Sequence, residues 1–192
     1  MLDEREAALL AKQGDQEAFE TLVRGHEELA FRAAYVIVRD AAEAQDVAQE
    51  AFVRAYRSLN RFDASQPFRP WLLRIVTNLA FNSRRGAKRR YEAGQRYERS
   101  VGENSTSPSP EGAVVRSEEA QHVWSAVSKL DRQDQEVLYL RYFLDASEAE
   151  TAVALGRPAG TVKSRLHRAL RRLRAVIEER YPDLTPAEGS RT

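Results

Sequence analysis

Apolar residues recur at three- and four-residue steps along most of the chain, and no stretch alternates with period two. The pattern predicts helices and no strands. Four helices are expected near 3–13, 15–39, 41–59 and 67–87, and two more at 117–130 and 133–144. Within 41–59, Val47, Ala51, Ala55 and Leu59 form a stripe to be buried, flanked by Ala48, Phe52 and Tyr56. The opposite side carries Asp46, Gln49, Glu50 and Val53 at steps of three and four, an acidic face with one exposed valine. In 67–87 the core stripe reads as Leu72, Ile75, Val76 and Leu79. Val123, Trp124, Val127, Leu130, Val137, Leu138 and Leu140 supply the apolar set of the later helices.

The segment 147–170 is more explicit. Ser147 lies three residues before Glu150, the spacing of a capping box. Gly156 suits a left-handed stop to the first short helix, and Pro158 the first turn of the next. Val162, Leu166, Ala169, Leu170 and Leu173 form the inward seam of the second helix. What faces outward is basic: Arg157, Lys163, Arg165, Arg168, Arg171, Arg172 and Arg174, with no acid from 157 to 174. A solvated face normally mixes signs, so a helix-turn-helix presenting its second helix to the DNA major groove is the expected reading.

Between these regions the periodicity fails. Residues 91–116 bring Gly94, Gly102, Gly112, Pro108 and Pro110 amid Ser, Asn and Glu. Too little apolar surface is present to offset the ordering entropy. The fold class expected is therefore all-α: two helical domains, 1–92 and 117–181, joined by a flexible linker at 93–116. Its most mobile part is 100–113, the C-terminal domain is a helix-turn-helix, and a disordered tail follows from 182 to 192.

Net charge is only +1, which hides an asymmetry. Residues 1–60 are rich in Asp and Glu, whereas Arg84, Arg85, Lys88, Arg89 and Arg90 follow in a run without acid. An acidic protein-binding part beside basic nucleic-acid-binding parts fits that distribution. On the 67–87 helix, Trp71, Arg74, Asn78, Asn82 and Arg85 share one side. Guanidinium planes stack on bases and amides read base edges, the equipment for single-stranded nucleic acid. Trp71 serves equally well as a core plug. Phe62, in the polar loop before that helix, would wedge against an unstacked base if exposed and anchor the loop if buried. Cysteine is absent, which removes disulfides, thiolate metal sites and a cysteine nucleophile. His26, His122 and His167 lack ligand spacing, so no metal, cofactor or catalytic residue is expected, and the chain is read as a non-enzyme. Charged residues interrupt every apolar run, so no membrane insertion is expected and a cytoplasmic location follows.

Three segments together resemble the extracytoplasmic-function (ECF) group of bacterial RNA polymerase sigma factors. They are Asp46-Val-Ala-Gln49-Glu50-Ala-Phe52-Val-Arg-Ala-Tyr56, Phe68-Arg-Pro-Trp71-Leu72-Leu-Arg-Ile75-Val-Thr-Asn78 and Gly160-Thr161-Val162-Lys163-Ser164-Arg165-Leu166. The resemblance implies sigma region 2 for the first domain and region 4 for the second. It implies RNA polymerase core, promoter DNA as duplex and melted strand, and an anti-sigma factor as partners. It assigns Asp46, Gln49, Glu50 and Phe52, with the exposed Val53 beside them, to docking on core polymerase. Phe62 and Asn78 match positions that capture a flipped base of the minus-ten element, with Asn82, Arg84 and Arg85 on neighbouring phosphates or bases and Arg74 on the same helix side. Thr161, Lys163, Ser164, Arg165, His167 and Arg168, with Arg157 ahead of them, match the face that reads the minus-thirty-five element. The chain departs from the pattern at Asn82, where relatives carry aspartate. Asp131 replaces a proline, and Pro158 stands where a capping serine is common. The competing reading is a helix-turn-helix regulator without core contact, which leaves the Asp46–Phe52 face unexplained.

Overall fold

The computed structural model describes residues 2–101 and 118–184, and all regular structure among them is helical. The chain divides into two compact units, 1–112 and 113–192. The first holds α1 (Glu4–Lys12), α2 (Gln16–Val38), α3 (Ala41–Ser58) and α4 (Phe68–Val101), with a 3₁₀ turn at Leu59–Arg61. Three aspartates start the first three helices. Asp3 accepts from the Glu6 amide at 2.7 Å, Asp15 from Ala18 at 3.0 Å and Asp40 from Glu43 at 2.7 Å, each satisfying an orphan N–H. Acidic residues in each first turn suit the positive end of the helix dipole.

The core of this unit is built on small residues. Ala30, Ala33 and Ala34 of α2 and Ala44, Ala48, Ala51 and Ala55 of α3 are 5% exposed or less. Without longer side chains between them, α2 and α3 pack closely, and both rest on α4 through Leu72, Leu73, Val76, Ala80 and Phe81. Ile75 and Leu79, expected in the core stripe, are only half-buried. The buried face of α4 is rotated toward Leu73 and Phe81, leaving Ile75 and Leu79 on the rim beside α3. The short α1 straps the α3–α4 loop in place. Glu4 accepts from the Phe68 amide at 2.8 Å and lies 3.1 Å from His26 Nε2, while Lys12 Nζ donates to the Phe62 carbonyl at 2.5 Å.

Helix α4 runs on to Val101, past its expected end at 87 and into the stretch read as linker from 93. Arg, Lys, Glu, Gln and Ala dominate residues 84–98, and these are strong helix formers even without a face to bury. Apart from its first two residues, the expected tether at 100–113 lies outside the described residues. Of the expected tail, Pro182–Leu184 form a 3₁₀ turn and the remainder lies outside them.

The second unit contains α5 (Glu118–Ser128), α6 (Arg132–Leu138), α7 (Glu148–Leu155) and α8 (Ala159–Arg180). The expected helix at 133–144 is α6 followed by a π-helical turn at Tyr139–Phe143. The Leu144 amide donates to Tyr139 O at 3.1 Å, and Tyr139, Phe143 and Trp124 pack as a ring cluster. Val137, Leu138 and Leu140 are fully buried as expected, whereas Val123 and Trp124 are half-buried. Asp131, the residue that departs from the family's proline, caps α6 by accepting from the Asp134 amide at 2.9 Å. Gln135, 3% exposed, donates to Leu130 O at 2.6 Å and so satisfies a carbonyl at the end of the preceding segment.

The helix-turn-helix has the expected construction. Both halves of the Ser147–Glu150 capping box are formed, and Gly156 closes α7 at φ 60°, ψ 41°. Pro158 sits at the N-cap of α8 rather than inside its first turn, and no side chain caps that end. The seam of α8 buries Val162 and Ala169, with Leu166 and Leu173 half-buried. Leu170, expected within it, is 37% exposed, because the helix rolls its contact toward α6 on the opposite flank. Gly156→Ala is expected to destabilise this unit by about 1–2 kcal/mol, since a Cβ opposes left-handed backbone. Calorimetric melting reads the loss, and an unchanged transition would mean the turn tolerates a side chain.

Candidate polymerase and nucleic-acid interfaces

The acidic side of α3 is presented as its spacing predicts. Asp46 and Gln49 are exposed, Val53 is 42% exposed, and Glu50 is half-buried with its carboxylate 2.7 Å from Arg54 Nε. Phe52 is half-buried and lies on the neighbouring side. With Val53 it lines an apolar hollow of about 470 Å³ shared with Gln16, Phe19, Tyr56 and Arg57. Phe19 and Tyr56 meet edge to face at 5.0 Å. Tyr56, expected beside the buried stripe, is 44% exposed at this hollow, and Phe19 of α2 was not foreseen as part of it. The signal lay in two helices at once, which a single periodicity does not join.

A second open groove, about 430 Å³, runs between the end of α3 and the middle of α4. Ile75 and Leu79 form its apolar floor. Asn78 and Asn82 stand on one wall, and Arg54, Arg57, Ser58 and Arg61 on the other. Arg85 donates to Asn82 Oδ1 at 3.3 Å, and Arg84 lies 5.1 Å over the Phe81 ring. Arg74 is exposed one turn before Asn78. The structure thus gathers Asn78, Asn82 and Arg85, and adds three arginines that sequence reasoning left out. Arg54, Arg57 and Arg61 are spaced by three and four, so helical periodicity alone already sets them on one side.

Phe62 does not join this groove. It is 3% exposed, with its ring 4.8 Å from Trp71 and 5.6 Å from Phe68. Contrary to expectation the ring is not exposed for base capture: Phe68, Trp71 and the Lys12 bond to its carbonyl bind Phe62 into the domain interior, where it anchors the loop. Trp71 is half-buried in the same cluster and acts as the core plug. In that loop Asp63 accepts from the Ser65 amide at 2.9 Å, and hydrogen bonding from Ser65 lowers its pKa.

The basic run on α8 sorts into two groups. Arg157, Thr161, Lys163, Ser164, His167 and Arg168 are exposed around the first turns. Ser164 Oγ donates to Thr161 O at 3.0 Å, and Arg168 Nε reaches Ser164 O at 3.4 Å. Arg165 and Arg172 instead turn toward α6. Arg172 lies 3.0 Å from Asp131 and 2.5 Å from Asp134, and its pKa is raised chiefly by the hydrogen bond to Asp134. Arg165 lies 3.7 Å from Asp134, so it is not fully displayed as the sequence suggested. The absence of acids within 157–174 was real, but Arg165 and Arg172 find theirs in α6 and its cap, 38 and 41 positions upstream for Arg172, beyond the reach of a local charge count.

Two family models match the chain: Sigma-70 region 2 over residues 22–90 and Sigma-70 region 4 over residues 121–173. The ECF RNA polymerase sigma factor SigW of Bacillus subtilis is 33% identical over 88% of this chain and 93% of its own. The chain belongs to the ECF group of RNA polymerase sigma factors. RNA polymerase sigma factor CnrH of Cupriavidus metallidurans is 32% identical over 91% of this chain and 94% of its own. A solved structure of CnrH, in complex with the cytosolic domain of CnrY, superposes with a TM-score of 0.65 at 29% identity, covering 92% of this chain and 98% of that one. As an ECF sigma factor the chain binds RNA polymerase core, directs it to specific promoters and promotes promoter melting. A regulator lacking core contact is not favoured, since region 2 is matched along with region 4. Sigma factors are non-enzymatic initiation factors. Among the described residues no group of three metal-ligating side chains occurs, and no helix is long and apolar enough to cross a membrane.

Proposed function

We propose a division of labour among the three surfaces of this sigma factor. Asp46, Gln49, Glu50 and Val53 on α3, with Phe52 at the edge of the adjoining hollow, dock on core polymerase. Asn78, Asn82 and Arg85, with Arg54, Arg57 and Arg61 opposite, hold the melted strand of the minus-ten element, and Arg74 and Arg84 flank it. Arg157, Thr161, Lys163, Ser164, His167 and Arg168 read the minus-thirty-five duplex, with Arg165 at the border of that face. The domains doing so are 1–92 and 117–181, and the site of action is the cytoplasm.

The observation that carries this reading is the α3–α4 groove. An extruded base needs an apolar surface to rest on and amides at its edge, and its phosphate needs cations nearby. Ile75 and Leu79, Asn78 and Asn82, and the arginines supply these in one place. Unstacking costs a few kcal/mol, which the groove offsets only if it binds the single strand and not the duplex. The experiment is run-off transcription by reconstituted holoenzyme on a promoter library, with Asn78→Ala and Arg57→Ala. Both variants are expected to lose initiation on closed duplex, and holoenzyme carrying either is expected to bind single-stranded minus-ten oligonucleotide more weakly than wild type. Unchanged binding of that single strand would reject strand capture.

In the major groove an arginine bidentate to guanine contributes about 1–3 kcal/mol of discrimination. Arg168→Ala is expected to weaken specific binding by about that amount. Equal losses on specific and scrambled duplex would reduce Arg168 to a phosphate contact. A further element of the proposal is an anti-sigma factor that holds this chain inactive; the complex of CnrH with the cytosolic domain of CnrY supports a protein partner. Copurification followed by transcription with and without the partner tests it, and activity unchanged at saturating partner rejects it.

A further inference from the structure

The buried carboxylate of Asp134 has no part in the surfaces above, although it touches one of them. Asp134 is 1% exposed, and charge at that depth requires compensation. Compensation comes from α8 in unequal shares. Arg172 Nη1 makes a close hydrogen bond to Oδ2 at 2.5 Å, and the same nitrogen reaches Asp131 at 3.0 Å. Arg165 Nη1 stands 3.7 Å from Oδ1, within ion-pair range but too far for a hydrogen bond. Arg165 and Arg172 are seven residues apart, two turns along one side of α8. Arg165 also borders a small hollow with Arg157, Thr161, Gln133 and Glu136, where α6 gives way to the exposed face of α8. Glu136 is engaged by Arg132 at 2.6 Å and so does not compete for it.

We propose that Asp134 is a positioning residue for promoter reading. It holds the Arg165 guanidinium at the edge of the reading face, from which Arg165 passes to a base edge in the groove while Arg172 keeps the carboxylate compensated. The inference rests on the proposed role of α8. A tightly held arginine would be lost to DNA, and an unheld one would wander among phosphates and read nothing. The loose contact to a buried, separately neutralised carboxylate avoids both outcomes. It also gives Asp131 and Asp134, both outside the recognition helix, an influence on which sequence is chosen.

The test selects bound sequences from a duplex library randomised across the minus-thirty-five element, using holoenzyme reconstituted with the full chain. Wild type, R165A, D134N and D134N/R165A are compared. Asparagine keeps an acceptor for Arg172 while removing the charge that orients Arg165. R165A is expected to lose preference at particular base pairs. D134N should lose roughly fivefold or more of the enrichment at those same pairs, the lower range of one bidentate contact. The double variant should match R165A alone, because the effect of Asp134 is exerted through Arg165. A carboxylate that only stabilised the fold would lower the yield of bound DNA evenly and leave the preferences intact. D134N with an unchanged preference profile, or with the same added loss in the R165A background, overturns the proposal. Should R165A itself keep the wild-type profile, the assignment of Arg165 to the reading face fails first and takes the proposal with it.

Discussion

Leu72→Ala is expected to remove about 2–5 kcal/mol from the first unit, the usual cost of emptying a leucine site that cannot collapse. Leu72 is 0% exposed and lies where α4 meets α2 and α3. The two helices packed against α4 bury Ala33, Ala34, Ala51 and Ala55, whose methyl groups have no rotamer able to swing into a void. In a domain of about 100 residues each kcal/mol shifts the melting temperature by about 4–8 °C, so the transition of this unit should fall by at least about 8 °C. Calorimetry resolves it from the transition of the second unit, whose core shares none of these side chains and should hold its temperature. The functional loss should be selective as well. Helix α4 carries Asn78, Asn82 and Arg85, so a looser seat for α4 impairs strand opening while duplex binding by α8 persists. A single transition that moves as a whole would contradict independent cores.

The parts of this structure legible in the sequence are those governed by near neighbours. The helix start at Ser147 follows from a side chain that reaches an amide three residues on. The stop at Gly156 follows from backbone freedom at one position. The acidic face of α3 is set by helical period alone. What escaped depends on distant residues. Periodicity identifies an apolar side but not which neighbouring helix covers it, so Ile75, Leu79 and Leu170 were placed too deep. Phe62 could be read either way until Phe68, Trp71 and Lys12 closed around it. The extension of α4 to Val101 needs no buried face, and a search for amphipathic pattern ends where the apolar stripe ends. Asp131 stands out in sequence only as a departure from a proline and Asp134 not at all; their pairing with Arg172 exists only when α6 lies against α8.

These gaps bear on the candidate interfaces in one direction. Local patterning displayed every charged residue as though it were available, and folding then withdrew some of them. Arg172 is engaged by two aspartates, Arg165 is held in part, and Arg84 lies over Phe81. Against that, folding brought Arg54, Arg57 and Arg61 from α3 to the groove that Asn78 and Asn82 line. Charge counts along a chain therefore overstate the reading face of α8 and understate the groove in the first unit.

Glu50→Lys should separate polymerase docking from DNA reading more cleanly than any other single change. Glu50 and its partner Arg54 are each about half exposed, 45% and 55% by side chain, so their ion pair contributes at most about 1 kcal/mol to stability. The fold should survive the reversal. On the docking face the consequence is larger. A surface built from Asp46, Glu50 and Gln49 selects a basic partner surface, and a like charge set against it costs several kcal/mol. At 1.4 kcal/mol per decade, affinity for core polymerase should fall on the order of 100-fold. Part of the wild-type affinity should also weaken with added salt, since exposed charges are screened over about 8–10 Å at ordinary ionic strengths. Binding of the full chain to labelled core, titrated at two salt concentrations, measures both effects. Arg54, the partner of Glu50, lines the α3–α4 groove, and a positive charge added beside it does not repel the phosphates of the melted strand; α8 is unaffected because it belongs to the other unit. A Glu50→Lys chain that bound core as tightly as wild type would remove α3 from the docking surface. The hollow lined by Phe19, Phe52, Val53 and Tyr56 would then be the next place to look.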